Sequence, residues 1–419
     1  MIPLLFLRMR NAKQWPKISI TVLAFWLISF FLSMSCNDTS DKDVIEFWHF
    51  QSEPNQKKAL DSLLKKFYTE TGISVKTTEL SWADGKTKLI AGFNSNSGPD
   101  VLEIGSDWIA QFAAEDIFLR ITDSIIDSGS FLDFTIEAST LQGSIYAVPW
   151  YIDSRPIMIN RDLLSEFKLK WDSTITWNKI ANHDIGRIDN KYLVGVNGPD
   201  RHRLYKKILP MLWSNGADIF DGRKYSINSQ EVKESLEIYG RLANIGMIET
   251  QKNLDIEFLK GNIAILNSGS WLLERMQATN YDMDVVLYPP VDSNTKNGIA
   301  FAGGEYLAIS TQSQSSKAAI RLVQFLSKGE NALLFSQLLP QAGFPADTSY
   351  FKDQSLISGN WKQVFAHQLQ FSRMTPSDNK WLDVEEVLED EIEQVLYKEK
   401  TASEALESAH NKINEIKKK

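Results

Sequence analysis

Cysteine occurs once in 419 residues, at Cys36, so no internal disulfide can form and stability has to come from core packing. Histidine is nearly as sparse. His49, His183, His202, His367 and His410 stand apart from one another, with no cysteine, histidine or carboxylate at metal-site spacing, and the sequence predicts neither a metal nor a cofactor. No basic stripe runs through the chain, which argues against a nucleic-acid partner, since phosphate binding needs clustered Lys and Arg. The three lysines at 417–419 read as a solvated tail after a helix. A GxSxG elbow, an HExxH pair and a phosphate-cradling Gly-rich loop are missing, as are fixed-period repeats and low-complexity segments.

What is present starts with an unusual N-terminus. Residues 18–32 (ISITVLAFWLISFFL) form an uncharged apolar run, shorter than the roughly 20 residues of a spanning helix. Arg8, Arg10, Lys13 and Lys17 precede it without any acid, and SMSC at 33–36 followed by polar NDTSDKD bounds it, which is the layout of a signal peptide over 1–35. A permanent anchor helix is the competing reading. Without those four cations the formal net charge of −8 becomes −12, an acidic mature surface. Cys36 resembles a bacterial lipoprotein cleavage site, with Ser35 as the small residue before the cut and Ser33 where such signals favour Leu. That resemblance implies lipid on Cys36, an exported cell-envelope protein and a short tether over 36–43.

The rest of the chain, 43% hydrophobic overall and 23% charged, has globular composition. Strand and helix alternate. VIEFWHF at 44–50 reads as a buried strand; Leu60, Leu63, Leu64 and Phe67 recur at helical spacing, with Ser52 as N-cap, Pro54 in the first turn and Gly72 at the end. Further strands are expected at 73–80, 101–104, 156–159, 192–196, 263–266, 285–287 and 306–309, with helices between, and the last 75 residues are mostly helical. In 384–396 an apolar stripe faces a run of acids, Glu385, Glu386, Glu389, Asp390 and Glu393, expected to be a solvated face. This alternation signals an α/β fold.

Four segments in order, GPDVLEIGSDWIAQFAAEDIFLRITD at 98–123, GSIYAVPWYIDSRPIMINRDLL at 143–164, FLKGNIAILNSGSWLLERM at 258–276 and AGGEYLAISTQSQSSKAAIRLVQFLS at 302–327, together with the closing TASEALESAHNKINEI, resemble the family 1 extracellular solute-binding proteins. These are the maltose-binding-protein-like receptors of sugar ABC importers. The resemblance covers 44–419 and implies a two-lobed periplasmic-binding-protein type II fold, each lobe a mixed sheet flanked by helices, joined by a multi-strand hinge. The first lobe would hold 44–152 and 305–343, and the second 153–304 and 344–419. It also implies a carbohydrate ligand, ABC permease subunits as partners, a monomer, and hinge closure on the ligand.

A sugar needs acids and amides around its hydroxyls and aromatic rings against its faces. By that chemistry and the resemblance, Trp150, Trp213, Trp271 and Trp381 are candidate stacking residues. Ser52, Glu53, Ser106, Asp107, Asp153, Asp200, His202 and Glu305 are candidate polar contacts, Asp153 foremost, and Gly303 and Gly304 would let backbone approach ligand or hinge. Two alternatives compete. One is a secreted glycoside hydrolase, whose chemistry two carboxylates would supply. The other is the same clamp around a sugar phosphate, polyamine or peptide, for which Arg155, Arg201 and Arg203 would suit an anion.

Overall fold

Local chemistry starts the chain as expected. Val44–His49 is a strand with Ile45, Phe47 and His49 inward, and the helix Pro54–Thr71 buries Leu60, Leu63, Leu64 and Phe67 before Gly72 ends it at φ 73°, a left-handed conformation that glycine adopts without penalty. The cap is a correction to the sequence reading: Glu53, not Ser52, holds the N-cap position, and both N–H groups donate to Gln56 Oε1, at 2.9 and 3.1 Å. The computed structural model describes residues 44–418 except 83, 294–297, 340–342 and 351–352; the leader, Cys36 and the tether lie outside the described residues. No described helix is long and apolar enough to cross a membrane.

Two sheets organise the rest, as the sequence reading expected of a two-lobed α/β chain. The first runs Phe344–Pro345, Ala147–Ser154, Ala300–Ile309, Val101–Gly105, Val44–His49 and Ser74–Glu79, with Ser372–Arg373 added beside Ala300–Ile309. The second runs Gly246–Glu249, Lys191–Asn197, Ile263–Asn267, Ile157–Asn160 and Met283–Val286, with Arg187–Ile188 beside Lys191–Asn197. Each sheet has a block of parallel pairs next to a block of antiparallel pairs, so both are mixed. The Val101–Gly105 and Ile157–Asn160 strands are buried along their whole length, as strands covered on both faces must be.

The chain passes from the first sheet to the second through Arg155 and Pro156, between Ala147–Ser154 and Ile157–Asn160. Proline lacks an N–H and holds its neighbour extended, which suits a strand leaving one ladder for another. Asn267 Nδ2 donates to the carbonyls of Arg155 and Pro156 at 2.7 and 3.1 Å, supplying the pairing those groups lose between sheets. The return is Met283–Val286 in the second sheet followed by Ala300–Ile309 in the first. Asp153 and Ser154 ladder with Ala302 and Gly303, and Phe344–Pro345 pairs with Ile152 and Tyr151, so the first sheet includes strand residues that the sequence reading gave to the second lobe.

Register slips by one residue where the crossing and return strands pair. Glu305 faces Tyr151 while Tyr306 faces Pro149, so Trp150 is the extra residue of a bulge. Its ring is fully buried and stacks on Phe335 at 4.7 Å. Trp150 is therefore core packing, and its expected stacking role is withdrawn.

Candidate functional site

Polar groups concentrate where the two sheets meet. Glu103 sits in the middle of a fully buried strand and accepts from Phe50 N–H at 2.8 Å, Gln51 Nε2 at 2.7 Å and Tyr151 Oη at 2.9 Å. Burial pushes its carboxyl up to about 7 against those three donors. Glu305, on the adjacent strand Ala300–Ile309 and laddered to Gly105, is raised well above the ordinary carboxylate range by burial and then by Glu103 and Asp107. Its Oε2 is buried with no hydrogen-bond partner among the described residues.

Beside them the loop after Val101–Gly105 places Ser106 and Asp107. Ser106 N–H donates to the Gly304 carbonyl at 3.2 Å, and Asp107 Oδ2 accepts from Tyr205 Oη at 2.9 Å, with Lys206 Nζ at 3.5 Å. Tyr205 opens the helix Tyr205–Ser214 that follows the second sheet's Lys191–Asn197, so Asp107 ties the two halves together. Trp82 also lies against Gly105. It is 41% exposed, stacks on Phe50 at 4.0 Å and meets Trp108 edge-on at 5.6 Å, forming the outer plate of a three-ring cluster. Sequence reasoning passed over Trp82, Glu103, Gln51 and Tyr151; an acid in the centre of an apolar strand was the available signal.

The end of the crossing strand and the segment after the second sheet's Ile263–Asn267 contribute the other wall. Asp153 Oδ2 accepts from Arg155 Nη1 at 2.7 Å and from the N–H and hydroxyl of Ser270, both at 3.0 Å, while Oδ1 is buried with no partner among the described residues. Burial raises its carboxyl even though Arg155 opposes the shift. Arg155 lies over the Trp271 ring at 4.5 Å, and Trp271 Nε1 donates to Asp255 Oδ2 at 2.8 Å. A side chain at Gly303 would press against Arg155 Nη2 at 3.0 Å and one at Gly304 against Met374 at 2.9 Å, so the two glycines make room for Arg155 of the crossing and for Met374.

The remaining expectations separate. Ser52 and Glu53 are exposed and serve the helix cap. Asp200 accepts from Asn197 Nδ2 at 2.8 Å and from the Gln251 N–H, anchoring a helix start. Trp213 is buried parallel to Phe301 at 6.5 Å, and Trp381 is buried edge-on to Tyr205 at 5.4 Å, so both are packing residues here. Among the predicted rings, Trp271 alone is half-exposed.

His202 and the acidic run overturn two expectations. Of the acidic run, Glu385 and Glu389 are buried, not solvated, while Glu386 is exposed as expected; the neighbouring Glu391 is buried as well. Glu385 meets His202 Nδ1 at 2.6 Å, Glu389 accepts the N–H groups of His202 and Tyr205, and Glu391 pairs with Lys400 and Lys412. Burial brings Glu385 to about 7, and its hydrogen bond raises His202. His202 is thus not isolated: its ring and two carboxylates present atoms within 4.8 Å of one another, a set of metal-ligand type that the sequence spacing did not reveal. Within the chain these atoms already serve each other and the start of the Tyr205–Ser214 helix.

Comparison with known proteins gives a consistent result. A family model described as bacterial extracellular solute-binding protein matches residues 62–363. The chain is 21% identical over 359 residues to a galactooligosaccharide-binding protein of Bacillus subtilis (strain 168), covering 82% of each. It is 20% identical to a maltotriose-binding protein of Pyrococcus abyssi (strain GE5 / Orsay), covering 80% of this chain and 74% of the relative. Among solved structures, it superposes with a TM-score of 0.77 and 19% identity on a Thermotoga lettingae ABC transporter solute-binding protein bound with α-D-tagatose, covering 89% and 99% of the two chains. A Listeria monocytogenes ABC substrate-binding protein in complex with cycloalternan gives 0.76 at 20% identity, covering 90% and 99%. These likenesses agree with the two-sheet architecture.

Proposed function

The chain belongs to the bacterial extracellular solute-binding family, and we propose that it captures a carbohydrate between its two sheets for delivery to the permease subunits of an ABC importer. The observation that carries this reading is the grouping of Gln51, Glu103, Tyr151, Asp107 and Glu305 beside the half-exposed Trp82, opposite Asp153 and Trp271. Acids and an amide match sugar hydroxyls, and flat rings match the C–H faces of a pyranose. The unpartnered Glu305 Oε2 and Asp153 Oδ1 are acceptors ready for those hydroxyls. The named ligands of the relatives, galactooligosaccharide, maltotriose, tagatose and cycloalternan, are carbohydrates of different sizes, which supports the class and leaves the individual sugar open.

In this reading no bond of the ligand is made or broken. Binding energy closes the lobes, and the closed form is what the permease receives. The protein acts as an exported monomer held to the membrane by lipid on Cys36, with the residues after it as a tether. Titration calorimetry with neutral mono- and oligosaccharides tests the core of the proposal. Saturable binding of a saccharide that weakens in Trp82→Ala and Trp271→Ala supports it. Heat only with polyamines, peptides or amino acids removes the carbohydrate and keeps the clamp.

A further inference from the structure

The wall formed by the second sheet carries charge of the opposite sign to the acids of the first. A recess of about 360 Å³ opens among Arg203, Gln251, Lys252, Asp255, Trp271 and Arg275. That lies near the lower end of the roughly 300–1,000 Å³ usual for small-ligand sites, room for one sugar unit. Its single acid is already engaged. Asp255 is buried, with Oδ1 accepting from Gln251 Nε2 at 2.8 Å and Ser268 Oγ at 2.9 Å, and Oδ2 accepting from Trp271 Nε1 at 2.8 Å.

The three cations of the recess differ from the other bases around them. Arg155 pairs with Asp153, Arg201 with Asp390 and Glu393, and Lys206 with Asp107. Among the described residues Arg203, Lys252 and Arg275 are exposed and form no ion pair. Next to them Lys207 donates to the Asn267 carbonyl and Oδ1 at 2.8 and 3.1 Å, and its amine is held down at about 7, by burial first and then by the charges of Arg155 and Arg203, with Asp255 and Asp200 opposing. Like charges gathered round one concavity repel while it is empty, and an anion relieves the repulsion. On a mature chain of net charge −12 such a positive concavity is not an average surface. Its concave shape and aromatic wall fit a small ligand better than a flat protein partner.

We propose that this recess receives an anionic group of the carbohydrate ligand, a carboxylate or a phosphate or sulfate ester, with Arg203, Lys252 and Arg275 as counter-charges and the Trp271 ring as its apolar wall. This rests on the carbohydrate reading of the site and narrows it to acidic sugars. Arginine presents paired N–H groups that match such oxygens two at a time, and lysine adds a point charge.

The test is calorimetry on the full chain in mild detergent at low ionic strength, with three probes: a galacturonate trisaccharide, the neutral galactose trisaccharide, and glucose 6-phosphate. The expected result is at least about tenfold tighter binding of an acidic probe than of the neutral one. That ratio should collapse towards one in Arg203→Gln/Arg275→Gln, persist in Arg321→Gln on a distant exposed helix face, and fall as salt is added. Preference for the uronate identifies the carboxylate, and preference for the phosphate identifies the ester. Equal or tighter binding of the neutral sugar overturns the inference and leaves the carbohydrate reading standing. If none of the three binds while a polyamine or peptide does, both fall together.

Discussion

Tyr205 Oη donates to Asp107 Oδ2 at 2.9 Å, joining the loop after the first sheet's third strand to a helix of the second. Tyr205 is fully buried, edge-on to Trp381 and Phe301, and the carboxylate beside it raises the phenol still further. A hydrogen bond to a charged acceptor contributes about 1.5–3 kcal/mol. Tyr205→Phe should therefore lose stability in that range, read by urea unfolding. A double-mutant cycle with Asp107→Ala should show that the two losses do not add, because either change removes the same bond. Additive losses would mean that the pair is not coupled.

Trp82 and Trp150 give opposite predictions from one substitution. Trp150→Ala empties a fully buried site against Phe335 and should cost about 3–5 kcal/mol, with thermal unfolding as readout. Trp82→Ala removes a ring that is 41% exposed, so saccharide affinity should drop far more than stability. A large stability loss at Trp82 with unchanged affinity would assign it to packing.

Glu103 sets a pH dependence with a definite sign. Its carboxyl is raised to about 7 in the fold, chiefly by burial, so the folded protein holds that proton more tightly than the unfolded chain. Stability from this group is complete below the ordinary carboxylate range and is lost as pH rises towards about 7, by at most about 3 kcal/mol. Glu385 and His202, both raised, act in the same direction, whereas His49, lowered by burial, acts against them. Comparing the unfolding midpoint at pH 5 and pH 8 in wild type and Glu103→Gln isolates the one group. The variant should show the smaller decline, and an identical decline would remove Glu103 as a cause.

Much of the fold was legible because its strands and helices carry unambiguous periodicity: Leu60, Leu63, Leu64 and Phe67 face the core as their spacing says, whereas the chain leaves the first sheet at Arg155 and Pro156, beyond the 152/153 boundary read from the sequence. The site was legible in part. Asp153 pairs with Arg155, which lies over Trp271, and Asp107 and Glu305 flank Gly105, whereas a one-residue bulge that no periodicity reveals turns Trp150 into the core. Glu385 and Glu389 misled for a similar reason. An acidic face looks solvated in sequence, and only the tertiary fold shows the loop at His202 covering it. Trp82 was missed because a tryptophan in a turn carries no local sign of which neighbour it will stack upon.

Cys36→Ser should release the protein from the membrane fraction into the soluble fraction and abolish incorporation of radiolabelled palmitate. Retention of the variant in membranes with unchanged labelling would place the anchor elsewhere.

Hydrogen exchange with and without a saturating saccharide tests the central claim most directly, because it reports both walls at once. The account predicts slower exchange at backbone amides of residues 50–52, 81–82 and 105–108 on one side and of residues 153–155 and 268–271 on the other, in the same titration. Protection confined to one wall, or no protection with any saccharide that binds, would contradict capture between the two sheets.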